Sequence, residues 1–87
     1  MAATYRFKVL TPNKREIDED VVSIVAPGEA GYLGILANHA PLMTTLKEGD
    51  LKVRFADNRE VVYRVGSGIL KVAANDAIVL TESIEEV

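Results

Sequence analysis

The strongest constraint in this chain is a two-residue alternation of apolar and polar side chains that restarts after every short turn. Tyr5, Phe7 and Val9 alternate with Arg6, Lys8 and Leu10. Leu51, Val53 and Phe55 alternate with Lys52 and Arg54, and Val61, Tyr63 and Val65 with Glu60, Val62 and Arg64. Successive side chains of a strand point to opposite faces, so this period means strands with one buried face. No segment sustains the 3.6-residue period of a helix. Many short strands with frequent turn signals predict an all-β sandwich or flattened barrel, as a single domain over residues 1–87.

The turn signals divide the chain further. Thr11-Pro12-Asn13 is a turn, because Pro presets its φ and Asn tolerates positive φ. Lys14 to Ile17 reads as a short strand ended by the acidic patch Asp18-Glu19-Asp20. Val21 to Ala26 reads as another, stopped by Pro27-Gly28. Tyr32 to Leu36 and Leu42 to Leu46 are two more, and Lys47 to Asp50 is a turn. Cross-strand partners share a face, so pairing Phe55 with Val61, or Val53 with Tyr63, needs an odd-numbered connection of three or five residues. Gly68 to Ala74 and Ala77 to Thr81 flank Asn75-Asp76, read as a two-residue turn that sets Val72 opposite Val79. Gly66-Ser67-Gly68 marks a bulge or a close backbone approach, and the tail from Glu82 is short and acidic.

Composition excludes several functions. With no cysteine among 87 residues, a disulfide frame, a thiolate nucleophile and a Cys-based zinc site are impossible, and the cytoplasmic side of a membrane is the expected setting. A net charge of −3 speaks against a nucleic-acid binder, which needs a basic field. Arg6, Lys8, Lys52, Arg54 and Arg64 sit at the alternate positions of a solvated face and lack interleaved aromatics for stacking. No run of about 18 apolar residues is present, so membrane association is expected only through a partner.

Candidate chemistry is sparse. His39 is the single histidine. Thr44, Thr45 and Ser67 are the hydroxyls considered beside it, but no nucleophile elbow or orienting carboxylate accompanies them. One imidazole with scattered carboxylates is not a metal site, and three consecutive acids do not have the alternate ligand spacing of a calcium loop. Gly28 to Gly34 spells Gly-Glu-Ala-Gly-Tyr-Leu-Gly, without the Lys-Ser/Thr or the following helix of a phosphate loop. A lipoyl- or biotinyl-type carrier presents a Lys at a hairpin tip, whereas Lys52 and Lys71 lie inside strands here. No catalytic residue, cofactor, metal or nucleotide is expected.

What remains is a stretch from Gly31 to Leu46 with no Lys, Arg, Asp or Glu, in a chain that is 26% charged. Buried strands would produce it, and so would a protein-binding surface, whose core loses charge and gains Tyr and Met; composition leaves the two level. The run Gly31-Tyr32-Leu33-Gly34-Ile35-Leu36-Ala37-Asn38-His39-Ala40-Pro41-Leu42-Met43-Thr44 resembles the signature of the epsilon subunit of rotary ATP synthases. Leu46-Lys47-Glu48-Gly49-Asp50-Leu51, Gly66 to Val72 and Asn75 to Leu80 resemble further motifs of that family in the same order, so the likeness covers the whole chain.

The resemblance implies the N-terminal domain of that subunit, a β-sandwich of about ten strands. It also implies a non-catalytic place in the central rotor, between the gamma subunit and the c-ring, on the cytoplasmic face of an energy-coupling membrane. There the domain would help couple proton-driven rotation to ATP synthesis on other chains. Residue by residue, it puts Glu29, Ala30, Gly31 and Tyr32 at the c-ring, and Thr11, His39, Ala40, Pro41, Leu42 and Thr44 on the gamma-facing side. The family often has Pro-Gly where Ala37-Asn38 stands, and Asn38 is expected to preserve the turn. Most members continue into a helical hairpin where this sequence ends, so inhibition of hydrolysis and ATP binding are not expected of these residues.

Overall fold

A computed structural model describes residues 3–87. It contains nine strands: β1 (Tyr5–Leu10), β2 (Arg15–Gly28), β3 (Gly31–Leu36), β4 (Leu42–Leu46), β5 (Gly49–Phe55), β6 (Glu60–Val65), β7 (Gly68–Ala73), β8 (Asp76–Thr81) and β9 (Ile84–Glu86). Their order is β1-β8-β7-β4-β2-β5-β6-β9, with β3 added to β2 and a further β1–β2 pairing. All pairings are antiparallel except β1 with β8. The all-β expectation holds, with nine strands rather than about ten. The ring through β1, β8, β7, β4 and β2 closes only at the single pair Gly28↔Leu46, so the molecule is a sandwich rather than a true barrel.

The long strand β2 holds the two layers together. The sequence suggests two strands here, parted by Asp18-Glu19-Asp20, yet one strand of 14 residues runs through the patch. The acids stay in the strand because Arg6 on the paired β1 reaches Asp18 (2.6 Å) and Asp20 (3.3 Å), while Arg15 also meets Asp18 (2.6 Å). The real irregularity comes later, where the register to β5 shifts between Val21 and Ser23. Ile17 and Val21 are buried before it, and Ile24 and Ala26 after it. A bulge inserts one residue and changes which parity faces inward. The first half of β2 therefore pairs with β1, and the second half with β3 and β5.

The alternating residues form the core: Phe7 and Val9 of β1, Leu51, Val53 and Phe55 of β5, and Leu70, Val72 and Val79 of β7 and β8 are buried. The β5–β6 connection is the odd-numbered loop expected. Phe55 N–H donates to Arg59 O (2.8 Å) and Asn58 N–H to Phe55 O (2.9 Å), enclosing Ala56, Asp57 and Asn58, with Asn58 at φ 71°. The strand pairs sit two residues from those anticipated, as Val53↔Val61 and Leu51↔Tyr63.

The β7–β8 turn is a correction of the same kind. Its central residues are Ala74 (φ 51°) and Asn75 (φ 60°), not Asn75-Asp76, so Val72 faces Ala77 and Leu70 faces Val79. A two-residue shift keeps every side chain on its face, so alternation could not choose between the registers. Asn75 chooses: its side chain accepts from Asn38 N–H (2.7 Å) and donates to Thr4 O (3.1 Å), tying three segments together. The tail also carries an unanticipated strand, β9, which pairs with β6.

Candidate interaction surface

The charge-free stretch is neither all core nor all surface. In β3 the side chains split by parity: Ile35 is buried and Leu33 half-buried, while Tyr32 and Leu36 are 63% and 64% exposed. In β4, Leu42 and Thr44 are half-buried and Leu46 is buried, while Met43 is 67% exposed. Each strand thus gives one row to the core and presents the other, uncharged, to solvent.

Glu29 and Ala30 form the two-residue tip of the β2–β3 hairpin, closed by Gly28↔Gly31. Both are exposed, and Gly31 takes the positive φ of 133° that lets the chain turn back. Glu29 N–H donates to Thr45 O (3.2 Å), which fixes the tip beside the end of β4. Tyr32 follows directly, on the outer face.

At the other end of β3, Leu36 to His39 make a turn in which His39 N–H donates to Leu36 O (3.3 Å). Asn38 takes φ 64°, so the departure at Ala37-Asn38 leaves the turn intact. His39, Ala40 and Pro41 are exposed. The His39 ring reaches Ala40 O through Nδ1 at 2.7 Å, and no hydroxyl or carboxylate bonds to it. Among the described residues no group of three or more His, Cys, Asp or Glu could hold a metal ion.

The anticipated residues therefore fall into four places. Glu29 to Tyr32 and His39 to Pro41 lie at opposite ends of β3, roughly 20 Å apart at about 3.3 Å per residue. Leu42 packs against the core from β4, and Thr44 shares its row. Thr11 does not join His39. It closes the β1–β2 turn, with its hydroxyl near Lys14 O (3.3 Å) and Glu16 Oε2 (3.2 Å), at the Leu80 end of the sheet. His39 lies at the Thr4–Asn75 end, the length of β1 away. Sequence reasoning passed over Leu36; its position one residue after the buried Ile35 is the signal that would have found it.

The arginines form ion pairs rather than a basic platform. Arg54 pairs with Glu60, Arg64 with Asp50 (3.3 Å), and Arg59 with Glu19 (3.0 Å) while stacking on the Phe55 ring at 4.4 Å. These pairs are exposed and individually contribute little to stability. The carboxyl of Asp18 is held below the usual carboxylate range by its bonds to Arg6 and then Arg15. Burial pushes the Tyr5 hydroxyl well above the usual tyrosine range, while a backbone hydrogen bond at Ile24 works the other way; the hydroxyl donates to Ile35 O at 2.7 Å.

The described residues thus form a small β-sandwich that presents uncharged apolar rows to solvent. Residues 4–87 match the family described as ATP synthase, Delta/Epsilon chain, beta-sandwich domain, and the chain belongs to that family. It is similar to the ATP synthase epsilon chain of Dichelobacter nodosus (37% identical over 82 residues, covering 94% of this chain and 57% of the relative). The Brucella abortus epsilon chain is 36% identical over 87 residues, covering 100% of this chain and 64% of the relative. The Chlorobium limicola epsilon chain is 34% identical over 80 residues, covering 92% and 91%. The chain thus spans under two thirds of the length of the first two relatives and nearly all of the third. Two solved structures share its fold. A chain of the Euglena gracilis mitochondrial ATP synthase OSCP/F1/c-ring assembly has a TM-score of 0.91 at 19% identity, covering 99% of this chain and 55% of that one. A chain of the Tetrahymena thermophila central stalk/c-ring assembly has a TM-score of 0.81 at 21% identity, covering 97% and 67%. The epsilon chain is a non-catalytic subunit of ATP synthase.

Proposed function

We propose that this domain works in the central stalk of a proton-translocating ATP synthase, joining the gamma subunit to the c-ring and helping to couple rotation to ATP synthesis on other chains. The observation that carries the reading is the separation of two exposed contact regions by the length of β3: the Glu29–Tyr32 tip at one end and His39–Pro41 at the other. A rigid strand between two contacts transmits torque without local refolding. The solved chains of the same fold belong to central-stalk and c-ring assemblies, which agrees with that role. The domain is then held peripherally on the cytoplasmic face of the membrane by its partners, and no helix of the described residues is long and apolar enough to cross a membrane.

A pull-down from detergent-solubilised membranes tests it. Recovery of gamma and c subunits with the tagged chain is expected. Tyr32→Asp should weaken recovery of c and His39→Ala recovery of gamma, each with the fold intact. Recovery of neither subunit by the unmodified chain would end the proposal.

A further inference from the structure

The outer edge of β3 is open, and two independent features of it point to an incoming strand. The first is the direction of its main chain. Pro27 pairs with Tyr32, but it has no N–H, and its carbonyl accepts from Lys47 N–H at 2.9 Å, away from β3. Main-chain direction alternates along an antiparallel pair. Val25 and Ser23, opposite Gly34 and Leu36, therefore also turn away from β3, toward β5. It follows that Tyr32, Gly34 and Leu36 direct their N–H and C=O groups off the free side of β3. His39 N–H takes the Leu36 carbonyl. Among the described residues no other strand lies along that side. Exposed edges are usually blunted by charge or proline, yet β3 has neither.

The second feature is Gly34. Its φ is not in the left-handed region, and a Cβ there would meet nothing nearer than Ile24 O at 4.0 Å. The domain itself has no use for a glycine at this position. Glycine within a strand otherwise marks close approach of another backbone or a bulky cross-strand neighbour. The exposed Tyr32 and Leu36 flank the gap on the same face.

We propose that the β3 edge is a strand-addition site for an extended, uncharged segment of the gamma subunit, entering from the His39 end, with a bulky apolar side chain of that segment seated over Gly34 against Leu36. A second copy of this chain fits less well. Antiparallel pairing about Gly34 sets glycine against glycine and leaves the gap unfilled. The inference rests on the docking reading above and names the contact that achieves it.

Amide hydrogen exchange on the chain alone and in complex with the gamma subunit tests it. In the complex the amides of Gly34 and Leu36 should slow at least tenfold, while Leu33 and Ile35, already turned toward β2, change little. Gly34→Val should bind at least tenfold more weakly while melting no lower than the parent. A complex that forms without the alternating protection, or that tolerates Gly34→Val, overturns this inference and leaves the docking reading standing. Failure of any complex to form overturns both. The same protection in the chain alone, growing with its concentration, would assign the edge to a second copy instead.

Discussion

Gly68 and Gly34 invite the same substitution with opposite results. Gly68 begins β7 opposite Thr81, and a Cβ built there lies 2.0 Å from the Leu80 carbonyl oxygen, 2.9 Å from its carbon and 3.0 Å from Thr81 Cα. All three are main-chain atoms, so no rotamer change relieves the clash. The strands must part by more than an ångström. That movement also disturbs Thr81, a buried residue whose hydroxyl donates to Gly66 O (2.9 Å) and lies 3.1 Å from Ser67 O. Overpacking costs about 1–3 kcal/mol, and a weakened buried hydrogen bond about 1 kcal/mol more. Loss of freedom in the unfolded chain returns about 0.4–1 kcal/mol. Gly68→Ala should therefore destabilise by about 1–3.5 kcal/mol, lowering Tm by about 5–25 °C in a domain this small. At Gly34 the space is empty, only the last contribution operates, and Gly34→Ala should raise Tm by a few degrees. Thermal and urea unfolding followed by circular dichroism measure both. Equal shifts for the two variants, or a Gly68→Ala domain as stable as the parent, would refute the close-approach argument.

Leu42 and Met43 are neighbours on opposite faces of β4. Leu42→Ala should cost about 1–2 kcal/mol in urea unfolding, below the range for a fully buried leucine because Leu42 is half-buried, while Met43→Ala stays within about 0.5 kcal/mol. Tyr5→Phe removes the bond to Ile35 O and should cost about 1 kcal/mol near neutral pH. Because burial raises the folded-state pKa of Tyr5, its neutral form stabilises the fold below about pH 10, and that stability falls as pH rises further. Tyr5→Phe should flatten the alkaline loss in part only, since burial also raises the pKa of Tyr63. Asp18 has the opposite sign: its depressed pKa gives stability above its unfolded value, lost as pH falls through the folded one, so Asp18→Asn should lessen acid sensitivity, and less so in high salt.

Alternation was sufficient for the all-β class, for β1 and β4 to the residue, and for most core positions, because a period of two fixes a face whatever the strand pairs with. It could not fix register. Both hairpins sit two residues from the anticipated pairs, a displacement that alternation does not detect. The β7–β8 register depends on Asn75 meeting Asn38 and Thr4, both distant in sequence. The unbroken β2 depends on Arg6 facing Asp18 and Asp20 across a strand pair.

The candidate surface divides along the same line. The missing charges between Gly31 and Leu46 are plain in the sequence, but whether each residue is core or surface is not, because both exclude charge. Only the folded chain separates Leu42 from Met43 and Ile35 from Leu36, parts Thr11 from His39, and leaves the β3 edge open beside a glycine with empty space around it. Sequence determines which side chains share a face, a local property of the backbone. Which face meets a neighbour, and which edge lacks one, are decided by contacts between segments tens of residues apart.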